Sequence, residues 1–425
     1  MSRWPRAPDV FAGLDVGTSA VKVVVARRRP GGDPSIVGMG QAGAGGIRRG
    51  VVVHLDDAAD AVARAVAEAE LTAGMKLPAA ELSLGGAHLR GTNSRAIVAA
   101  AGPGRCITAS DVRRAIASAC AVPLPEERAV LDAIPQEFVV DDQDGVRDPI
   151  GMAGTRLEVN VHLVTGSVAA VLNLAECLRR CGVSIRDVAL GPVAAAQAVL
   201  TADEAALGAA VVDLGAGTTS VAVFERGALC HTAVCPVGGD HLTDDLAAGL
   251  RTPLSDAERI KRRFGRTFAL SLDEDAVLRV PSIAGSDDRA VPKRLVPEIL
   301  AAAAIALLDQ VAGELRAARG EAPAAGVVLT GGGVALGGLT ETAEAILGLP
   351  VRWGLPQATG SVADMVNTPA FAAAVGLVFR AARRCDEGGP PAPGGGMTRR
   401  ARLADRLRRL LRHHVQRRRS AGAGV

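Results

Sequence analysis

The chain has no tyrosine, two tryptophans and seven phenylalanines among 425 residues. With aromatics at 2%, its cores must be built from Val, Leu, Ile and Ala. The base-stacking platforms that hold single-stranded nucleic acid are excluded, and no nucleic-acid partner is expected. The seven cysteines include no CxxC pair, and no histidine cluster accompanies them. That pattern excludes a disulfide framework and a thiolate metal site, and leaves free thiols in a reducing compartment. The first ten residues carry Arg3, Arg6 and Asp9 with two prolines, and no apolar segment follows. No signal peptide is expected, which places the body in the cytoplasm. The longest uncharged stretch, residues 322–339, is Gly-rich and reads as a buried strand and loop rather than a membrane span.

What is present begins with ordinary globular composition, 48% apolar and 22% charged. The length calls for two domains with subdivisions. Two stretches look like copies of one device. Residues 10–26 run through Asp15, Gly17, Thr18, Ser19 and Lys22; residues 210–224 run through Asp213, Gly215, Gly217, Thr218 and Thr219. Each reads apolar run, Asp, apolar residue, Gly, hydroxyl residues, second apolar run, the pattern of a β-hairpin. Glycine in the turn lets backbone N–H groups approach a phosphate, and the hydroxyls add donors. Asp15 and Asp213, at strand ends, are placed to hold the waters of a Mg²⁺ ion. Two such hairpins facing each other would grip a nucleoside triphosphate between two domains. A third piece, residues 327–339, runs a buried strand into Gly331, Gly332 and Gly333 and then past Leu336 into a helix. That is a surface for ribose and adenine.

Together these pieces resemble the actin-like ATPase superfamily, whose members carry two α/β domains of ribonuclease-H-like type around a nucleotide cleft. The block from 85 to 164 does not resemble actin. Its Ile134-Pro135-Gln136-Glu137-Phe138 and Gly151-Met152-Ala153-Gly154-Thr155-Arg156-Leu157 segments are similar to the inserted subdomain of the bacterial cell-division family FtsA. Pro236 to Leu246 with Gly238 and Gly239, then Glu258 to Lys261, and Val351 to Gly354 are similar to the same family. The resemblance spans residues 11–377.

It implies ATP and Mg²⁺ as cofactors, and Glu258 and Lys261 as contacts for adenine and ribose. It also implies self-assembly into filaments, binding to the tubulin-like ring protein FtsZ, and recruitment of other division proteins at the cytoplasmic face of the inner membrane. The expected subdomains are IA at 8–84 and 165–200, the insert IC at 85–164, IIA at 201–254 and 323–355, IIB at 255–322, and a return to IA at 356–384. Ser255 to Glu258 reads as a capping box. Residues 27–46 read as a polar connection, 47–54 as one short strand, and Asp56 or Asp57 as the cap of the helix that follows.

Hydrolysis in this superfamily needs a residue that orients water on the helix after the insert. Chaperones and MreB-like filaments place a Glu before the proline there, and this chain has Gly191-Pro192. Gln197 is the nearby polar replacement and the candidate catalytic residue. ATP binding is thus better founded than hydrolysis, which would be weak at most.

Residues 385–397 are dense in Gly and Pro and read as a flexible linker. Residues 398–419 hold ten arginines against one aspartate, so the remaining chain is net acidic. Leu403, Leu407, Leu410, Leu411 and Val415 fall on one helical face, with Arg406, Arg409 and other arginines opposite. A basic amphipathic helix of this kind reads as binding an anionic membrane surface; the alternatives are a partner helix or an Arg-rich nucleic-acid arm, and the apolar stripe argues against the latter. Burial of its apolar face is worth on the order of 5–8 kcal/mol, and each arginine near anionic lipid adds at most about 1 kcal/mol. One tail would bind reversibly; several on a filament would hold firmly. Pilus-assembly proteins resembling PilM and actin-fold kinases share the fold, but neither is expected to end in such a tail.

Overall fold

The computed structural model describes residues 10–29, 32–101, 106–268, 276–283, 288–318 and 322–386. The proposed amphipathic helix, with its leucines and arginines, lies outside the described residues.

The first half opens on β1 (Val10–Val16) and β2 (Ala20–Arg29), an antiparallel hairpin. The polar connection read next is instead a twelve-residue strand, β3 (Gly32–Gly43), paired with β2. Its glycines mark close packing rather than a loop: a Cβ on Gly40 would lie 2.1 Å from the carbonyl oxygen of Ala65 on the covering helix. The single strand expected at 47–54 is a tight hairpin, β4 (Ile47–Arg48) and β5 (Val51–Val52). Its turn residues Arg49 and Gly50 have φ of 49° and 72°, the two-residue turn whose twist matches a hairpin. Helix α1 (Leu55–Ala73) follows, capped by His54 rather than by an aspartate: the Asp57 N–H donates to the His54 ring. Strand β6 (Ala79–Leu84) then lies parallel to β1.

The insert comprises β7 (Arg90–Ala99), α2 (Ala109–Ala119), β8 (Arg128–Val140), β9 (Gln143–Val146) and β10 (Arg156–Ser167). Its sheet has the order β7-β10-β8-β9 and its own core around Ile107, Ile116, Phe138, Leu157 and Val161. A capping box joins Thr108 and Asp111 at the start of α2. Hydrogen bonds from Thr108 hold the buried Asp111 carboxyl at about 2, against the cost of burial.

The chain returns through α3 (Val168–Arg180), β11 (Ser184–Leu190) and α4 (Gly191–Val199). The second half contains α5 (Ala202–Leu207), β12 (Ala209–Leu214), β13 (Thr219–Glu225), β14 (Ala228–Cys235), α6 (Gly239–Leu250) and α7 (Leu254–Phe264). It continues with β15 (Val277–Val280), β16 (Arg289–Pro292), α8 (Leu295–Ala317), β17 (Val327–Thr330), α9 (Leu339–Leu347) and β18 (Val351–Trp353). Helix α8 is long and apolar enough to span a membrane. It turns Val296, Leu300, Leu307, Leu308 and Val311 into the core of this half. Last come β19 (Thr359–Gly360), α10 (Ala363–Val366) and α11 (Ala372–Asp386). Helix α11 reaches two residues into the expected linker.

The two large sheets have the orders β11-β6-β1-β2-β3-β19 and β14-β13-β12-β17-β18. In both, an antiparallel hairpin has a parallel strand on its outer flank, β6 beside β1 and β17 beside β12. A third core fills the space between them. Phe11 and Val24 from one sheet and Val211, Phe224 and Val328 from the other pack on α4 and α11 through Ala195, Val199, Val375 and Phe379.

Two buried polar contacts tie these pieces together. Arg380 and Arg384 on α11 pair with Glu81 on β6 and Asp187 on β11, with Arg380 Nη1 3.6 Å from Glu81 Oε2. Arg380 is 8% exposed and Glu81 1%. Elsewhere the insert meets edge strand β14. His162, 1% exposed, sits 2.6 Å from Asn93 Oδ1 and 2.8 Å from Thr232 Oγ1. The Gln136 amide donates to the Leu229 carbonyl at 2.9 Å. Burial lowers the His162 pKa to about 4.

Removing one partner of a buried pair leaves the others uncompensated. Arg380→Ala should therefore lower stability by about 3–5 kcal/mol in urea denaturation; a loss below about 1 kcal/mol would show that Arg384 alone neutralises both carboxylates. His162 binds a proton more readily unfolded than folded, so it favours unfolding as pH falls from about 6.5 toward 4. The full effect is about 3 kcal/mol. His162→Gln should flatten the pH dependence of the melting temperature over that window, and an unchanged slope would contradict a neutral buried ring.

Candidate functional site

The two hairpin turns face each other across a cleft of about 450 Å³. Their local geometry is the same. The Gly17 N–H donates to the Ala20 carbonyl at 3.1 Å, and the Gly215 N–H donates to the Thr218 carbonyl at 2.9 Å. The turns approach closely enough that a Cβ on Gly217 would lie 2.7 Å from Thr18 Oγ1. Side chains larger than hydrogen do not fit there.

Asp15 and Asp213 both line the cleft. Lys22, cross-strand from Asp15, is 3.8 Å from its carboxylate. Asp213 is hemmed in by the third loop. Gly331, at φ 90°, would place a Cβ 2.4 Å from Asp213 Oδ1. Burial, and then the negative charge of Asp15, push the Asp213 carboxyl up to about 6, with Lys22 opposing. Two carboxylates that share one lysine leave negative charge on this wall, the donor chemistry that oxygen-coordinated cations take. Glycine at 191 opens this wall: its Cβ position lies 3.7 Å from Asp213 Oδ2.

The second wall is built by α6 and α7. Lys261 Nζ donates to the Gly239 carbonyl and to Thr243 Oγ1, each at 2.7 Å, and pairs with Glu258 Oε2 at 2.7 Å. Thr243 Oγ1 donates to the same carboxylate at 2.6 Å. Glu258 makes no cap: α7 begins after Pro253 with no side-chain bond, because Thr243, Lys261 and Arg262 claim the carboxylate. Burial raises its pKa, but these hydrogen bonds outweigh burial and hold it at about 2. Gly331, Gly332, Gly333 and Leu336 close the cleft opposite.

Most residues read from the sequence thus converge. Asp15, Gly17, Thr18, Ser19, Lys22, Asp213, Gly215, Gly217, Thr218, Gly239, Glu258, Lys261, Gly331, Gly332, Gly333 and Leu336 all line one cavity. Thr219 and Gly238 stand behind it. Thr219 is fully buried, its hydroxyl donating to the Val237 carbonyl at 2.9 Å. Gly238 presses on the second turn, its Cβ position 2.5 Å from the Ala216 carbonyl oxygen. Gln197 is not among the lining residues; its amide oxygen accepts from Arg383 on α11 at 3.0 Å. The catalytic expectation for Gln197 therefore fails on position. Gln41, Gly50, Ser83, Gly86, Ser220 and Arg262 line the cleft without having been expected. The Gly85-Gly86 pair after a strand was a visible signal; Gln41 and Ser83 carried none, since strand pairing alone brings them in.

Comparison with known proteins agrees with this architecture. The family described as "Cell division protein FtsA" matches residues 210–376, and "SHS2 domain inserted in FTSA" matches residues 86–165. The cell division protein FtsA of Neisseria meningitidis is 40% identical over 385 residues, 90% of this chain and 92% of that protein. That of Pseudomonas aeruginosa is 38% identical, covering 89% and 91% of the two chains. Among solved structures, the PilM-PilN type IV pilus biogenesis complex matches with a TM-score of 0.64 at 19% identity, over 88% of this chain and 99% of that one. MreB5 of Spiroplasma citri bound to ADP matches with a TM-score of 0.54 at 14% identity, over 90% and 100%. These two likenesses establish an actin-like fold. The sequence relatives, with the FtsA-type insert between the two halves of the first sheet, go further: this chain belongs to the FtsA family of bacterial cell-division proteins.

Proposed function

We propose that the protein binds Mg-ATP in the cleft, assembles into filaments, and tethers the FtsZ ring to the cytoplasmic face of the inner membrane, where later division proteins gather. The observation that carries the nucleotide reading is the pair of identical turns meeting across one cavity with Asp15 and Asp213 in its wall. A Mg²⁺ ion would supply charge neutralisation at phosphates, and Asp15 and Asp213 would hold its waters. The turn N–H groups and the Thr18, Ser19 and Thr218 hydroxyls provide phosphate donors. Glu258 and Lys261 lie where a ribose and adenine would rest against Gly331–Leu336. Glycine at 191 leaves no side chain there to aim a water, so the nucleotide acts by favouring one arrangement of the halves over another. The reading as a PilM-like pilus protein rests on fold alone, at 19% identity.

The membrane role rests on the apolar stripe and arginines of residues 398–419. Full-length protein should pellet with anionic liposomes, more so with Mg-ATP, and a chain ending at Gly396 should stay in the supernatant while remaining folded. Equal behaviour of the two chains would defeat the tether.

The raised Asp213 carboxyl gives a second test. Protons compete with the cation at this site, so Mg-nucleotide affinity should rise as pH passes upward through about 6. Asp213→Asn should bind Mg-nucleotide at least tenfold more weakly at pH 7.5 and lose that pH dependence. Wild-type affinity in the variant would remove Asp213 from the cation site.

A further inference from the structure

The β4–β5 hairpin was read only as a strand, and the cleft described so far uses none of its side chains. Yet its tip enters between the two turns. The Gly50 N–H donates to Thr18 Oγ1 at 3.0 Å. The Arg49 Cα lies 3.0 Å from where Gly217 would carry a Cβ. The Arg49 carbonyl accepts from the Ala87 N–H at 3.4 Å, and Gly50 packs on Gly86. The hairpin is therefore held from both sides, and the backbone that carries the Arg49 side chain is fixed by a positive-φ turn.

The guanidinium itself is poorly partnered. Arg49 Nη2 lies 3.3 Å from His241 Nε2 on α6, and the Gly238 N–H donates to Nδ1 of the same ring at 3.1 Å. Both groups are obligate donors, and an arginine does not lose its proton. A neutral imidazole has one acceptor nitrogen and an imidazolium has none. No protonation state of His241 satisfies both neighbours. Among the described residues, no carboxylate pairs with Arg49. A cation on an exposed, pre-positioned stem, resting on a partner that cannot fully accept it, is set to move to an anion.

We infer that Arg49 reads the terminal phosphate of a bound nucleoside triphosphate, leaving His241 when that phosphate is present and returning when it is absent. This rests on the nucleotide reading of the cleft. With the base toward Glu258 and Lys261, the last phosphate would lie at the turns; Gly50 of the hairpin tip lines the cavity there, and Arg49, not itself a lining residue, is next to it and would swing in from His241. A guanidinium fits a phosphate's oxygens in a bidentate fork that an imidazole cannot match. The contact to His241 crosses from the first half to the second, so the choice between histidine and phosphate also decides whether the hairpin is bonded to α6. Nucleotide state is thereby transmitted to the relation between the halves without hydrolysis chemistry at Arg49.

The test is calorimetric binding of Mg-ADP and of Mg with the non-hydrolysable analogue AMPPNP to the full-length chain, wild type and variants. Arg49→Gln should weaken AMPPNP about tenfold or more while ADP stays within about twofold. Arg49→Lys, which keeps the charge and loses the fork, should recover part of the lost affinity. Both variants should melt as wild type does, since Arg49 is exposed. Equal weakening of the two nucleotides, no weakening of either, or a folded Arg49→Lys as poor as Arg49→Gln overturns the inference. If wild type binds neither nucleotide, the reading of the cleft fails and this falls with it. If wild type binds both and only the variants disagree, the cleft stands and Arg49 is not its sensor.

Discussion

The molecule depends on one steric constraint: the turn of the second half must carry glycine at 217, because the Thr18 side chain and the Arg49 backbone of the first half already fill the space a Cβ would take. Gly217 against Thr18 sets the separation of the halves at the turn end of the cleft. Gly331 against Asp213 does the same for the third loop. Everything else is arranged so that these contacts are possible. The hairpins β1–β2 and β12–β13 point their turns inward, and the parallel strands β6 and β17 bring their loops alongside. Helices α4 and α11 fill the space between the sheets with a shared apolar core.

Electrostatics follow from that closeness. Packing the turns together drives Asp213 out of water and toward Asp15, which is why its carboxyl holds a proton to higher pH than usual. Glu258 experiences burial too, but Lys261, Thr243 and Arg262 surround it with donors and its proton leaves early. The cavity thus has one wall where two carboxylates share a single lysine, Lys22, and another where Lys261 and Arg262 both pair with Glu258. The first wall keeps more negative than positive charge; in the second the charges of Glu258, Lys261 and Arg262 are matched by direct contacts.

The sequence made the turns legible because glycine and aspartate at fixed offsets between apolar runs have few alternative explanations, and the repeat at Asp213 supplied an internal check. It made the insert legible through the Ile134–Phe138 and Gly151–Leu157 segments. It concealed β3, since Gly38 and Gly40 read as loop residues when they are contact points for α1. Ser255 to Glu258 read as a capping box because the local pattern is right, while the carboxylate is bound by Thr243 from another helix, fifteen residues earlier. Gln197 failed for a related reason. Its helix is buried around it, and the direction in which the one polar side chain leaves is set by α11, almost two hundred residues later. Local rules predicted local bonds; these residues make distant ones.

The buried cluster of Glu81, Asp187, Arg380 and Arg384 has a mechanical meaning. Helix α11 is the last described element, running to Asp386. Its two arginines grip two neighbouring parallel strands, β6 and β11. Displacing the helix therefore disturbs both strands together rather than either alone. The last described helix is thus riveted to two strands of the first sheet at once, so it cannot lift from one without breaking its hold on the other.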